Sequence, residues 1–280
     1  MKTTHTIIFG DSREELKKLE TNSIHLIITS PPYYNRKNYN HKDQIGYNQT
    51  YDEYINSLNT IWKECYRVLK LGCKMCINIA DLHSSSKEQG RYFQISIKTD
   101  IIKHCQNIGF DLYNTIIWQK IPNCKPSGGC SLMGSLFYPR NGIVKENFEY
   151  ILIFKKRGKD PKVSKEMKES SRITLREWKQ YFSGIWKIRG SPNKRHIATY
   201  PLKIPYRLIK MYSFVGDTIL DPFVGSGTSI KACKILKRNS IGIELNKKDY
   251  WELIQKKTNF HNSGVLDEFK FNIIDHKVKT

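Results

Sequence analysis

The chain has 280 residues, 39% of them hydrophobic, with 47 Lys+Arg against 26 Asp+Glu and a formal net charge of +21. That is enough apolar material to bury a core, which excludes global disorder, and no run of 18 apolar residues is present to form a membrane-spanning helix. So positive a balance points to polyanionic partners, nucleic acid before an anionic membrane surface.

From the amino terminus, residues 5–9 and 24–29 are apolar runs of strand length, and Asp11 to Glu20 between them has the spacing of a short helix. Tyr54, Ile55, Leu58, Ile61, Trp62, Cys65, Val68 and Leu69 predict a helix over 51–69, stopped by Gly72 ahead of a strand over 74–79. A helix over 95–108 closed by Gly109 and a strand over 113–119 follow. Strands alternating with helices predict a mostly parallel, doubly wound α/β sheet covered on both faces.

The alternation breaks between Ile121 and His196, where prolines and glycines interrupt the chain and one strand is evident at 148–154. Basic residues are dense there (Lys155, Lys156, Arg157, Lys159, Lys162, Lys165, Arg172, Arg176), and Trp178, Tyr181, Phe182 and Trp186 are interleaved. A loop-rich basic insertion carrying aromatics fits a nucleic-acid face better than a solvated linker. The α/β pattern then resumes, with a helix over 205–212, a strand over 218–220, a helix over 228–236 and a strand over 240–244.

Seven cysteines, an odd number in a chain with no evident export signal, predict reduced thiols in the cytosol. Cys73 and Cys76 form a CxxC, but the spacing of Cys124 and Cys130 does not complete a zinc pattern. Cys76, inside an apolar run, reads better as a small buried side chain.

The strand over 218–220 runs into Asp221-Pro-Phe223-Val-Gly225-Ser-Gly227-Thr228-Ser and then a helix, a turn that lets a ligand approach the backbone. It lacks the Gly-Lys-Ser/Thr of a P-loop and the third glycine of a dinucleotide fingerprint. Asp221 before the turn and Glu244 at the end of the next strand suit ribose hydroxyls and a cationic adenosine cofactor better than a pyrophosphate, which two carboxylates would repel.

The strand over 24–29 ends in Ser30-Pro31-Pro32-Tyr33. Two prolines stiffen this loop and remove two donors, leaving carbonyls that only accept. At the carboxyl end of a parallel strand, Ser30 Oγ and a proline-flanked carbonyl suit the N–H groups of an exocyclic amine, with Tyr33 stacking on the base.

The two motifs together, SPPY early and DPFVGSGT late, resemble the amino-methyltransferases of DNA, in the group whose catalytic loop precedes the S-adenosyl-L-methionine loop. The resemblance covers most of the chain. Gly10-Asp11-Ser12 is similar to the family's amino-terminal acidic element beside the cofactor adenine. Tyr66-Arg67-Val68-Leu69-Lys70 with Gly72 is similar to its RVLKPGG segment, Trp118-Gln-Lys120 to its WxK, and His196 to Leu208 to the stretch before the cofactor loop.

The resemblance implies a permuted, Rossmann-like seven-stranded sheet, with residues 1–120 and 196–260 as the catalytic and cofactor-binding domain. Residues 121–195 would be the target-recognition region, and 261–280 a carboxyl-terminal tail. It further implies Ser30, Pro31, Pro32 and Tyr33 as the catalytic loop, and Asp11, Asp221, Phe223, Gly225, Gly227, Thr228 and Glu244 as the cofactor contacts. The methyl group would pass from S-adenosyl-L-methionine to the exocyclic amine of a flipped base. Ser30 before the prolines favours cytosine N4, with adenine N6 second, and the Pro-Cys pair needed for attack on carbon 5 of cytosine is absent.

Double-stranded DNA is the expected substrate, no membrane partner is expected, and the cytoplasm with its nucleoid is the expected location. A cognate restriction endonuclease and a second copy of the chain are candidate partners. An RNA amino-methyltransferase and a non-catalytic nucleic-acid-binding protein are the competing readings.

Overall fold

Ile24, Leu26, Ile27 and Ile28 are all buried, so the strand Ile24–Thr29 (β2) is covered on both faces. A strand of that kind belongs in the middle of a parallel sheet with helices on either side. The structure, a computed structural model, describes residues 2–35, 37–84, 90–121, 133–134, 138–144, 146–190, 200–259 and 269–276, and there β2 is the central strand of a nine-stranded sheet.

In chain order the sheet strands are β1 (Thr3–Phe9), β2, β3 (Leu69–Ile79), β4 (Phe110–Ile121), β5 (Phe148–Lys156), β6 (Ile185–Arg189), β7 (Thr218–Asp221), β8 (Asn239–Glu244) and β9 (Phe269–Asp275). Across the sheet they run β6-β4-β5-β3-β2-β7-β8-β1-β9. Only β5 is antiparallel to its neighbours, β3 and β4.

The helices are α1 (Ser12–Glu15, prolonged by a 3-10 turn at Leu16–Lys18), α2 (Tyr51–Val68), α3 (Ile97–Asn107), α4 (Lys165–Ser170), α5 (Leu175–Tyr181), α6 (Lys203–Tyr212), α7 (Thr228–Ile235) and α8 (Lys247–Thr258). One apolar layer joins Leu58, Trp62 and Ile101 of α2 and α3 to Met75, Ile77 and Phe154 of the sheet. A second, on the opposite face, joins Leu208 and Ala232 of α6 and α7 to Cys76, Ile151 and Trp186. The sheet is therefore doubly wound, as the alternation of elements predicts.

The count of seven strands falls short by the two edges, β6 and β9. In β6 only Trp186 and Ile188 are buried, and in β9 Ile273 and Ile274 are exposed, so neither has the continuous apolar run of an inner parallel strand. β9 lies within the expected tail, yet it pairs with β1 along Thr3–Phe9. β5 and β6 lie within 121–195, so part of that region builds the central sheet.

α2 starts where Thr50 and Glu53 form a reciprocal capping box, and it buries Tyr54, Leu58, Ile61, Trp62, Cys65 and Val68 on one stripe. Gly72 is not its stop, as the helix ends at Val68 and Gly72 sits inside β3 with φ +76°. The side chain that closes this corner is Lys156, whose Nζ donates to the carbonyls of Tyr66 and Leu69, each at 2.7 Å. Lys156 is therefore buried structure and not part of a basic face.

β2 and β7 are neighbours, but the strand following β2 lies on one side of the pair and the strand following β7 on the other. A crevice opens where strand order reverses in this way, and both candidate loops emerge there side by side.

Candidate cofactor cleft and catalytic loop

The crevice holds a cleft of about 110 Å³ between the start of α1, the Ser-Pro-Pro-Tyr loop, the glycine turn and the chain around 37–45. Asp11, Ser30, Pro32, Phe223, Gly225 and Glu244 line it.

Glu244 ends β8 with its carboxylate held by two backbone donors, Gly225 N to Oε2 at 2.9 Å and Asn246 N to Oε1 at 3.0 Å. Burial dominates these bonds and pushes its pKa up to about 7. Gly225 has φ +51°, and a Cβ there would meet nothing closer than Tyr250 at 3.9 Å, so the glycine leaves an open floor. Asp11 caps α1 and is paired with Arg13 at 2.5 Å, and Arg13 also donates to the carbonyl of Asp43 at 3.0 Å.

The remaining turn residues face elsewhere. Asp221 is buried beneath the turn and accepts from Thr29 Oγ1 (2.9 Å), Phe223 N (3.0 Å), Ser229 Oγ (2.6 Å) and the Tyr200 hydroxyl (3.3 Å). Thr228 Oγ1 and Ser226 Oγ accept from Lys257 Nζ at 2.8 and 2.5 Å, and burial lowers the Lys257 pKa to about 8. Gly227 has φ +83° and packs under Thr258 and Ile254 of α8. Asp221, Gly227 and Thr228 thus brace the turn instead of lining the cleft.

In the Ser-Pro-Pro-Tyr loop, Pro31 is buried, and the Pro32 carbonyl accepts from the Tyr54 hydroxyl of α2 at 3.0 Å. Tyr33 lies outside the cleft lining, and its hydroxyl donates to Glu149 Oε2 at 3.3 Å. Glu149, at the start of β5, also accepts from Asn78 Nδ2 and Lys120 Nζ, both at 2.5 Å. The lysine of the WxK segment therefore reaches the Ser-Pro-Pro-Tyr loop through one carboxylate. Trp118 of the same segment is buried and donates to the Ile188 carbonyl at 2.9 Å. His196, in the stretch before the cofactor loop, lies outside the described residues, while Tyr200 of that stretch reaches Asp221.

Sequence reading passed over Lys37, Tyr39, Asn246 and Tyr250, which also line the cleft. Asn246 is signalled by the Asn-x-x-Asp start of α8, where its side chain accepts from Asp249 N. Tyr39 has no such local mark, because its carbonyl is held by Asn246 from across the fold at 2.8 Å.

A family model described as DNA methylase matches residues 24–256. The chain belongs to this N6/N4 DNA methylase family. It is 35% identical to the Type II methyltransferase M.MjaI of Methanocaldococcus jannaschii over 98% of this chain and 97% of that protein. It is 33% identical to the Type II methyltransferase M.MthZI of Methanothermobacter thermautotrophicus over 92% of this chain and 78% of that one. Among solved structures, a Thermus thermophilus protein in complex with S-adenosyl-L-methionine superposes with a TM-score of 0.78 at 31% identity, over 97% of this chain and 98% of that one. The cytosine-N4-specific PvuII DNA methyltransferase shares the fold, with a TM-score of 0.66 at 21% identity, over 96% of this chain and 90% of that one.

This methylase is S-adenosyl-L-methionine-dependent, and the cleft fits that cofactor. Gly225 leaves room at the backbone, aromatic rings of Tyr39, Phe223 and Tyr250 border it, and Glu244 supplies a buried acceptor.

Proposed function

We propose that this DNA methylase is site-specific, transfers its methyl group to cytosine N4, and serves a restriction-modification system. The observation that carries the base assignment is Ser30, which stands before the two prolines and lines the cleft beside the glycine turn. The restriction-modification setting is supported by the relatives' designation as Type II methyltransferases. Under it, double-stranded DNA is the substrate, and a cognate endonuclease and a second copy of the chain are the expected partners.

When bound, S-adenosyl-L-methionine supplies an electrophilic methyl group on a sulfonium. Glu244 would accept from its ribose hydroxyls, with Phe223, Gly225 and Asp11 completing the walls. The target nitrogen is a weak nucleophile because its lone pair is delocalised into the ring. Ser30 Oγ and the Pro31 carbonyl would accept its two N–H bonds, localising the lone pair and holding the nitrogen in line. Tyr33 would stack on the extruded base, offsetting part of the few kcal/mol that extrusion costs.

Mass spectrometry of nucleosides from DNA of cells expressing the protein tests this reading. N4-methylcytosine is expected, and N6-methyladenine alone would overturn the base assignment. Methyl incorporation into RNA but not duplex DNA would overturn the substrate.

A further inference from the structure

β5 begins beside Ile79 and ends beside Lys74, so the chain after it emerges at the amino-terminal ends of the parallel strands. β6 then returns parallel to β4. Residues 157–184 therefore lie at the end of the sheet opposite the Ser30 loop. From Gly72 to Ile79 the separation is roughly 20 Å at about 3.3 Å per residue. That exceeds two Debye lengths at physiological salt, about 8 Å each. The stretch from Lys155 to Lys179 nevertheless holds ten basic residues against four acidic ones. Its charge is too remote to serve a base at the catalytic loop, which removes this stretch from the target-recognition role expected for residues 121–195.

These residues border a groove of about 590 Å³ lined by Lys74, Lys162, Lys168, Arg172, Trp178 and Tyr212. Lys162 and Lys168 have no acidic partner among the described residues, and the Arg172–Glu169 pair is exposed and 3.8 Å long, which leaves its charge available. Lys74 stands over the rings of Tyr113 and Tyr212, at 5.8 and 5.9 Å. Trp178 is 54% exposed and stacked on Phe182 at 4.3 Å. The cations bordering this open groove complement a phosphodiester backbone, while the Asp160 and Asp217 carboxylates in its lining face Lys155 and His25.

We infer that this far groove is a second DNA-binding site, which holds the phosphate backbone of a separate duplex segment while the first segment occupies the catalytic end. A duplex is stiff over about 150 base pairs, so one lying across the carboxyl ends of the strands cannot bend round to their amino-terminal ends. Two contacts therefore require two segments.

The test is a duplex count. The full chain is titrated at low salt with a fluorescein-labelled random-sequence duplex of about 14 base pairs, roughly 48 Å long at 3.4 Å per pair, and stoichiometry is read by sedimentation. The wild type should bind two duplexes and the triple variant Lys162→Glu, Lys168→Glu, Arg172→Glu one. Tritiated methyl transfer to saturating unmethylated plasmid DNA should stay within about twofold, and a Trp178→Phe variant should lose the fluorescence change caused by the second duplex.

One duplex per wild-type chain, or two per triple variant, would overturn the proposal. Loss of methyl transfer in the folded triple variant would overturn it too, by placing these residues at the first duplex. Dissociation of a DNA-free dimer by the same substitutions would give the groove to a second copy of the chain. Absence of methyl transfer by the wild type would instead sink the catalytic reading, leaving the duplex count to decide the groove.

Discussion

Thr29 Oγ1 donates to Asp221 Oδ1 at 2.9 Å, joining the residue before Ser30 to the residue that opens the glycine turn. The same carboxylate takes Ser229, Tyr200 and the Phe223 amide. Asp221→Ala leaves these four donors without that acceptor, and each unsatisfied buried group costs about 1–3 kcal/mol, not additively. The variant should be destabilised by about 3 kcal/mol or more and lose methyl transfer. Asp221→Asn keeps one acceptor oxygen and should lose about half as much. Thermal unfolding followed by circular dichroism checks both, and an unchanged midpoint for Asp221→Ala would refute the bracing role.

Glu244 predicts a pH dependence of two signs. Its folded pKa is raised to about 7 by burial, so the cofactor-free fold takes up a proton that the unfolded chain, near 4.5, does not. The associated stability is fully present below about 4.5 and is lost as pH rises through about 7. Cofactor binding should run the other way, because a charged acceptor serves ribose hydroxyls and a nearby sulfonium better. Affinity should fall about tenfold between pH 8 and pH 6, following the ionised fraction. Calorimetry at both values checks this, and Glu244→Gln should bind weakly with a flat profile.

Much of this was legible from residue order, for reasons the structure makes concrete. β2 and α2 were readable because burial on both faces makes a strand continuously apolar, while burial on one stripe leaves a helical period. β9 was not, since an edge strand with exposed isoleucines resembles a tail until its partner β1, far away in sequence, is known. The cleft was half legible: Glu244 and Gly225 line it, but nothing in DPFVGSGT says that Asp221 and Thr228 point inward. Side-chain direction in a tight turn is set by what packs beneath it, here Lys257 and Ser229.

Tyr33 and Glu149 form a second testable pair. If the ring stacks on the extruded base, Tyr33→Ala removes about 1–3 kcal/mol of stacking and should slow transfer roughly 5- to 150-fold, with cofactor affinity kept. Glu149→Gln also loses the charge facing Lys120 and weakens the hold on the Tyr33 hydroxyl, so transfer should fall about tenfold with an unchanged cofactor Kd. Methyl-transfer kinetics beside calorimetric titration separate these effects. Near-normal turnover by Tyr33→Ala would remove the stacking role.

The two glycines of the turn should fail differently. Both have positive φ, so alanine at either costs on the order of 1 kcal/mol of backbone strain. At Gly225 the new methyl projects toward open space near Tyr250, in the cleft itself, so Gly225→Ala should weaken cofactor binding well beyond its loss of stability. At Gly227 the methyl meets Thr258 at 3.4 Å and Ile254 at 3.5 Å, ordinary contact on the α8 side, so the cost is the backbone strain of its φ of +83°. Gly227→Ala should lower the unfolding midpoint by several degrees and leave cofactor Kd within about threefold. Measuring both quantities for both variants decides the matter, because equal effects on Kd would mean that Gly227, like Gly225, borders the cofactor.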